Sequence, residues 1–259
     1  MALMNRPYRL VVPTSYTGST AVPFVMLLHG YTASGQGQDT YFRMSELAQA
    51  RGFILATPDG LVDGFGQRYW NATNYCCGFN TTKQDDVLYL GAIMNEVRQN
   101  YRIDPKRVFF IGHSNGGFMS HRMACDRAPR IAGIVSLAGA QWKDESNCVP
   151  DGGVAVLQVH GTNDGTVSYM GGTLYPGAVE TVTTWANLYG CGAALTSAGA
   201  DLDIEAGLAG AETKREHFTG CAAGTASELW TIQNGGHVPN FNMTWAPVIY
   251  DWLQAHPKP

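Results

Sequence analysis

Ser114 lies between Gly112 and Gly116, where an apolar run gives way to a stretch with helical spacing. The pentapeptide "GHSNG" has the pattern G-x-S-x-G, which at a strand-to-helix junction exposes a serine hydroxyl on a sharp turn. A side chain at either glycine would collide with neighbouring backbone in so tight a turn. The spacing therefore predicts a nucleophilic Ser114, with a structural serine in a glycine-rich loop as the alternative.

A serine hydroxyl attacks well only when a neighbouring base takes its proton, and histidine is the usual base. His237 follows the last apolar run on the glycine-rich stretch "NGGH", where the end of a strand would present its ring. His160 also ends an apolar run, but it begins the loop that supplies the acid. The other histidines after Ser114 lie in a helix-like stretch, an irregular segment and the C-terminal tail (His121, His217 and His256). We therefore predict that His237 is the base.

The imidazole of such a histidine needs a carboxylate that orients the ring and stabilises its charged form. Asp164 lies in "GTNDG", after a buried apolar run and between Ser114 and His237 in the chain. Serine, then acid, then histidine is the order expected after a G-x-S-x-G turn. Asp59 precedes the serine, and the other two candidates, Asp144 and Asp151, flank no strand end. Asp164 is the predicted acid.

Attack on a carbonyl also requires hydrogen-bond donors for the oxyanion that forms. The backbone N–H of Asn115, directly after the nucleophile, is the first predicted donor. The second is the backbone N–H of Tyr31 in "HGYTASG", the loop after an early strand, and the Tyr31 ring could form one wall of an acyl pocket. His29 is expected to pack beneath this loop.

Alternating strands and helices must position these groups. Continuous apolar runs typical of strands buried on both faces occur at 8–13, 24–30, 52–60, 107–114, 131–139, 154–161 and 228–236. Stretches with helical spacing lie between them, at 39–51, 85–101, 116–127, 180–190 and 246–256. This alternation predicts an α/β fold with a mainly parallel, doubly wound sheet and helices on both faces. Every predicted site group then lies at the carboxyl end of a strand, where open α/β sheets bind ligands.

Length and composition indicate one catalytic domain over residues 1–259, in which 192–227 is an irregular insertion before the last strand. The formal net charge of −4, without a Lys/Arg cluster, gives no reason to expect a nucleic acid partner. No apolar stretch approaches a membrane span. No Cys/His spacing resembles a zinc site, and the chemistry above requires no metal or organic cofactor. We expect a monomer.

The chain has six cysteines. We expect Cys191 to pair with Cys221, because both lie in a glycine- and alanine-rich excursion. Cys76 and Cys77 would then pair, in some order, with the remaining two, Cys125 and Cys148. Disulfides indicate an exported protein, although no signal peptide is visible; buried free thiols in a cytoplasmic enzyme are the alternative.

Six segments carry a resemblance to a known family: "HGYTASG", "YWNATNYCCG", "DDVLYLGAIMNEV", "GHSNGGFMSHRMAC", "HGTNDGTVSY" and "NGGH". From about residue 8 to residue 252 the chain resembles α/β-hydrolase esterases related to poly(3-hydroxybutyrate) depolymerases and to feruloyl and acetylxylan esterases. The family's nucleophile, acid and base fall on Ser114, Asp164 and His237. The resemblance implies secretion and disulfides.

The chain departs from this family after the base histidine, where relatives often have Trp-Pro and this chain has "HVPNFN". The rim of the pocket is therefore altered. Trp142 and Trp70 are candidate pocket aromatics, with buried structural tryptophans as the alternative.

Together these features predict a serine carboxylesterase that acts through an acyl-enzyme. The ester is expected to be a feruloyl or acetyl ester of plant polysaccharide, or a short polyester such as polyhydroxybutyrate. The alternatives are a serine peptidase on the same fold and a non-catalytic binding protein on a hydrolase scaffold.

Overall fold

The computed structural model of the protein describes residues 2–3, 6–77 and 85–259. The strands in this part of the chain are β1 Ala2–Leu3, β2 Arg6–Val11, β3 Val22–Leu28, β4 Ile54–Pro58, β5 Leu61–Val62, β6 Arg68–Tyr69, β7 Ile103–His113, β8 Gly133–Leu137, β9 Ala155–Gly161, β10 Leu195–Ser197, β11 Thr213–Phe218 and β12 Ala226–Ile232. The α-helices are α1 Gly35–Phe42, α2 Met44–Arg51, α3 Asp86–Asn100, α4 Asn115–Asp126, α5 Ala178–Leu188 and α6 Trp245–Gln254.

One large sheet has the strand order β1-β2-β4-β3-β7-β8-β9-β12-β11-β10. The central strands from β4 to β12 pair in parallel, and antiparallel strands close both edges. β5 and β6 form a separate antiparallel pair. The mainly parallel α/β architecture predicted from the sequence is confirmed.

Helices cover both faces of the sheet, and successive residues of the central strands enter opposite cores. In β7, Phe110 belongs to one core, whereas Phe109 and Ile111 belong to the other. The first core includes buried residues of α3, α4 and α5 (Ile93, Phe118 and Trp185). The second includes buried residues of α1, α2 and α6 (Phe42, Leu47 and Ile249). Burial on both faces explains why these strands are continuous apolar runs.

The helix predicted over 39–51 is two helices, α1 and α2, separated at Arg43. Arg43 has a φ of 58°, a left-handed conformation that ends α1. The Asp39 carboxylate accepts a hydrogen bond of 2.8 Å from the Ser45 backbone N–H, which caps the first turn of α2. Periodicity alone does not reveal such a break, because the apolar residues on both sides of it still face the sheet.

Residues 192–227 were expected to be irregular, and this expectation was wrong for part of the segment. It contains β10 and β11, which extend the sheet beyond β12. The sequence of β11, "TKREHF", is rich in charged residues, because strands near a sheet edge are open to water. A search for buried apolar runs therefore misses it.

The turn between β7 and α4 leaves no room for side chains at its two glycines. A Cβ atom at Gly112 would lie 2.0 Å from the carbonyl oxygen of Gly116. A Cβ atom at Gly116 would lie 2.3 Å from the carbonyl oxygen of Leu28 in β3. Both contacts are with backbone, which cannot move aside without shifting a strand or a helix.

All six cysteines form disulfides, but two of the three bonds differ from the predicted pairing. Cys191 bonds Cys221 as expected, whereas Cys76 bonds its neighbour Cys77. The third bond joins Cys125 to Cys148.

Distance along α4 explains the difference. Cys76 lies beside the N-terminal end of α4, where its Sγ accepts a hydrogen bond of 3.4 Å from the Asn115 side chain. Cys125 lies ten residues after Asn115 on α4, which is about 15 Å at the helical rise per residue. A disulfide spans at most about 7 Å between Cα atoms, so the predicted pairing is out of reach.

Four histidines in the described residues are buried: His29, His113 at the end of β7, His121 in α4 and His160 in β9. His113 and His121 have strongly shifted pKa values. Burial lowers the pKa of His121 to about 4. Burial, and secondarily the nearby His237, lowers the pKa of His113 to about 4. Both rings are therefore neutral in the folded protein at neutral pH.

Gly112→Ala should lower the free energy of unfolding by about 3 kcal/mol, because the added methyl group overlaps backbone that cannot relax. Urea denaturation measures the change. Gly64→Ala is the matched control, since a Cβ atom there meets nothing within 4 Å, and its effect should stay within about 0.5 kcal/mol. Equal effects of the two variants would contradict the close packing of this turn.

Removing the Cys191–Cys221 disulfide with a Cys191→Ala/Cys221→Ala double variant should lower the free energy of unfolding by about 3–4 kcal/mol. The bond closes a loop with a sequence separation of 30, and the estimate is the loop-closure entropy of the unfolded chain. Thermal unfolding of the oxidised protein and the variant measures the effect. An unchanged melting temperature would show that the bond does not constrain the unfolded chain.

Stability should fall as the pH is lowered from about 6.5 towards 4. In this window the unfolded chain binds protons at His113 and His121, whose ordinary pKa is about 6.5, while the folded chain does not. Each histidine should contribute up to about 1.4 kcal/mol per pH unit to the slope. Urea denaturation between about pH 7 and about pH 5 measures this slope. In His121→Gln the slope should fall by up to about 1.4 kcal/mol per pH unit, because one histidine fewer binds a proton on unfolding. An identical slope in the variant would contradict the assignment.

Candidate active site

The side chains of Ser114, His237 and Asp164 form one hydrogen-bonded row. Ser114 Oγ lies 2.9 Å from His237 Nε2. His237 Nδ1 lies 2.8 Å from Asp164 Oδ2. Because a carboxylate only accepts hydrogen bonds, Nδ1 carries the ring hydrogen and Nε2 is left to accept the serine proton. This arrangement can convert a serine hydroxyl into a nucleophile.

Parallel strands in the centre of the sheet bring these three residues together. Ser114 directly follows β7, Asp164 lies three residues after β9, and His237 lies five residues after β12. The three strands lie in the centre of the sheet, separated only by β8. Since their carboxyl ends share one edge, the loops that follow them converge there.

Ser114 has backbone dihedrals that a residue with a side chain rarely adopts, φ 52° and ψ −120°. Its N–H donates a hydrogen bond of 2.7 Å to the carbonyl of Leu137 at the end of β8. Its side chain makes no capping bond to α4. The hydroxyl is therefore free of the helix end and directed at His237. A non-glycine residue kept at such angles is characteristic of functional sites.

Asp164 is a buried carboxylate with three hydrogen-bond donors and a second imidazole close by. Its Oδ1 accepts bonds of 2.8 Å from the backbone N–H groups of Thr166 and Val167. Its Oδ2 faces His237 and, at 3.3 Å, His160 Nε2. Burial raises the pKa of Asp164, but hydrogen bonds from His160 and His237 outweigh it and hold the pKa well below its usual range. The carboxyl is therefore ionised at neutral pH.

Asn115, the first residue of α4, occupies the position predicted for an oxyanion donor. The first backbone N–H groups of a helix have no acceptor within the helix. Its side chain is fully engaged elsewhere: Oδ1 accepts a 2.6 Å bond from the Trp70 N–H, and Nδ2 donates a 2.9 Å bond to the Trp70 carbonyl. Only the backbone of Asn115 can therefore serve a substrate.

Tyr31, the second predicted donor, lies on the loop between β3 and α1. Its hydroxyl donates a 2.6 Å bond to Asp63 Oδ2, which holds the half-buried ring. His29 lies beneath the loop as expected: its Nδ1 bonds the Gly30 carbonyl at 2.7 Å, and its Nε2 accepts a 2.8 Å bond from the Gly60 N–H. The loop is thus held from below and from its outer side.

Trp70 was predicted as a pocket aromatic, and this prediction was wrong. Its side chain is fully buried, and its indole N–H donates a 3.0 Å bond to the His29 carbonyl. It therefore supports the Tyr31 loop from within and offers no surface to a ligand. Trp142 is half-buried, with its ring centre 5.2 Å from the Arg122 guanidinium carbon on α4. Its role as a pocket residue stays a prediction.

His113 was not predicted to have a role, although it directly precedes Ser114. Its Nε2 lies 2.9 Å from the His237 carbonyl oxygen and donates to it, since a carbonyl only accepts. The two imidazole rings are 5.1 Å apart. His113 thus links the end of β7 to the loop that carries His237. A histidine at the end of an otherwise apolar strand was the available signal.

Two polar residues inside the apolar strand β9, Gln158 and His160, were also given no role. Both side chains are buried, and they are hydrogen-bonded to each other. His160 Nε2 lies 3.3 Å from Asp164 Oδ2. The alternation "LQVHG" in a buried strand was the signal, because a buried polar side chain requires a partner.

In the described part of the chain, no group of His, Cys, Asp or Glu side chains could hold a metal ion. In the same residues, no helix is both long and apolar enough to cross a membrane.

Sequence comparisons show that the chain is similar to esterases. Residues 80–187 match the phospholipase/carboxylesterase family model. Feruloyl esterase B of Piromyces equi is 28% identical over 87% of this chain. Feruloyl esterase D of Neurospora crassa is 28% identical over 91% of this chain. The chain spans 41% of the length of the Piromyces relative and 70% of the Neurospora relative.

Among solved structures, the acetyl xylan esterase from Aspergillus awamori has the same fold, with a TM-score of 0.69 and 17% sequence identity. The match covers 96% of this chain and 94% of that enzyme. The resemblance seen in the sequence is confirmed by the family model, by the feruloyl esterase relatives and by the fold. The chain is thus similar to carboxylesterases and has the α/β-hydrolase fold.

Proposed function

We propose that this protein is a serine carboxylesterase with Ser114 as nucleophile, His237 as base and Asp164 as the orienting acid. One observation carries the proposal: the hydrogen bonds of 2.9 and 2.8 Å that join the three side chains at the carboxyl edge of the sheet. The similarity to the phospholipase/carboxylesterase model and to feruloyl esterases supports a carboxylic ester as the substrate.

The reaction begins when Ser114 Oγ attacks the ester carbonyl carbon and His237 Nε2 takes the hydroxyl proton. Asp164 accepts the Nδ1 hydrogen bond and stabilises the imidazolium. The backbone N–H groups of Asn115 and Tyr31 hold the oxyanion of the tetrahedral intermediate. His237 then gives its proton to the leaving alcohol as the carbon–oxygen bond breaks. Water then attacks the acyl-enzyme carbonyl while His237 takes its proton. His237 gives this proton to Ser114 Oγ as the acyl group leaves, which regenerates Ser114.

We infer that the acyl group is aromatic, as in feruloyl esters of plant polysaccharide. The names of the relatives in Piromyces equi and Neurospora crassa support this choice. An aromatic pair also joins two loops at this edge of the sheet: the ring centres of Tyr75 and Tyr175 are 4.3 Å apart. Both rings lie within about 6 Å of Phe118 in the first turn of α4. Acetyl esters and short polyesters are the other candidate substrates.

The three disulfides support export to an oxidising compartment, where such bonds persist. The proposed enzyme acts there as a monomer on an ester substrate.

Ser114→Ala should abolish ester hydrolysis, with kcat/KM falling by about 10⁴-fold or more. The reason is that Ser114 has the one hydroxyl among Ser114, His237 and Asp164 that can form the acyl-enzyme. The measurement is turnover of methyl ferulate, p-nitrophenyl acetate, p-nitrophenyl butyrate, a polyhydroxybutyrate suspension and a peptide p-nitroanilide. Methyl ferulate should have the highest kcat/KM of the soluble esters.

Ser197→Ala, in the exposed strand β10, is the matched control and should retain wild-type turnover. Hydrolysis of the anilide in preference to every ester would favour a peptidase. No turnover of any substrate by the wild type would favour a binding protein. Ester hydrolysis that persists in Ser114→Ala would rule out Ser114 as the nucleophile.

A further inference from the structure

A row of buried polar side chains leads from the first core to the carboxylate of Asp164. Its members are Trp185 in α5, His121 in α4, and Gln158 and His160 in β9. Each of the four is at most 1% exposed to solvent. Polar groups so deeply buried cost stability unless they are hydrogen-bonded, and these are bonded to one another.

Donor and acceptor roles along the row follow from its ends. The Trp185 indole can only donate, so its 3.1 Å bond to His121 Nδ1 makes that nitrogen an acceptor. His121 Nε2 must then carry the ring hydrogen and donate to Gln158 Oε1, 3.0 Å away. The direction of hydrogen-bond donation, from Trp185 towards Gln158, is therefore fixed at this end of the row.

Gln158 donates its next hydrogen bond to His160, in the same direction along the row. Its amide nitrogen lies 2.8 Å from the Gly139 carbonyl, which fixes that end as the NH₂ group. The same nitrogen lies 3.1 Å from His160 Nδ1, which therefore accepts. His160 Nε2 must carry the hydrogen, and it faces the Val167 carbonyl at 2.8 Å and Asp164 Oδ2 at 3.3 Å. Every bond in the row is satisfied by neutral rings in one tautomer each.

We propose that His160 is a positioning residue, which holds Asp164 Oδ2 in place for His237 through a tautomer set by Gln158 and His121. This inference rests on the proposed function and adds to it. His160 Nε2 donates its hydrogen to the Val167 carbonyl at 2.8 Å, and the same N–H dipole lies 3.3 Å from Asp164 Oδ2. This dipole weakens the pull of Oδ2 on the His237 proton. Other titratable groups near the pair are His113, whose ring lies 5.1 Å from that of His237, and Tyr75, whose ionisation Asp164 opposes.

Two amide substitutions at His160 separate its two bonds. In His160→Asn the amide reaches the Gln158 side but falls short of Asp164, whereas in His160→Gln the amide nitrogen lies near the original Nε2. His160→Asn should lower kcat for p-nitrophenyl butyrate by about 10- to 100-fold with little change in KM. The acidic limb of its kcat/KM profile should move to higher pH, since Asp164 then stabilises the His237 imidazolium more strongly. His160→Gln should restore most of both.

Val182→Ala, which truncates a buried side chain of α5 outside the row, controls for loss of stability alone. It should lower the melting temperature and leave the pH profile unchanged. If His160→Asn does not fold, Gln158→Met replaces it, because it removes the amide that sets the tautomer of His160. Wild-type kcat and pH profile in the folded variant, or an equal loss in His160→Gln, would overturn the proposal.

Labelling of Ser114 by a fluorophosphonate separates this inference from the proposed function. The labelling rate depends on the activated serine and not on the ester chosen. A wild type that labels rapidly but cleaves no ester would refute the esterase, while a slower, pH-shifted rate in His160→Asn would still support the role of His160. A wild type that neither labels nor cleaves would overturn both.

Discussion

The close approach of backbone at the turn between β7 and α4 is the constraint on which the site depends. Gly112 touches the start of α4, and Gly116 touches the end of β3, at distances that exclude a methyl group. The helix therefore begins directly after the strand, and Ser114 between them has a positive φ of 52°. This places the hydroxyl at the edge of the sheet and the N-terminus of α4 beside it. The neighbouring strands need only bring their own loops to the same edge.

A second constraint is that the polar groups of the site are satisfied from below. Asp164 receives two backbone donors and two imidazoles, so its charge is retained without exposure to water. His113 donates to the backbone of His237 from the end of β7. Side chains held by this many bonds keep one geometry, which is what a pre-organised site requires. Of the two histidines at the strand ends, His113 contacts His237 and His160 contacts Asp164.

The segment around Trp70 ties the candidate oxyanion loop to the serine turn. Trp70 bonds the backbone of His29 through its indole and the side chain of Asn115 through its own backbone. Cys76 extends the same contact to Asn115. The two segments whose backbone N–H groups are predicted to hold an oxyanion are thus linked by one buried residue, Trp70. A tryptophan that looked like a pocket residue is a structural support.

The sequence by itself determined the fold class, the order of the central strands and helices, and the residues Ser114, Asp164 and His237 as candidates. These follow from local signals: apolar runs, a glycine-framed serine, and chain order. Their catalytic roles stay a prediction, although the structure brings the three side chains into hydrogen-bond contact.

What only the tertiary structure decided are facts of distance between segments far apart in the chain. The pairing of Cys76 with Cys77 depends on where the loop that carries them contacts α4. The burial of Trp70 depends on which loops enclose it. The charged strand β11 is recognised only once β12 lies beside it. The link from Trp185 to Asp164 joins two helices and a strand, and no local pattern specifies it. Hydrogen bonds act over about 3 Å in space, whatever the separation along the chain.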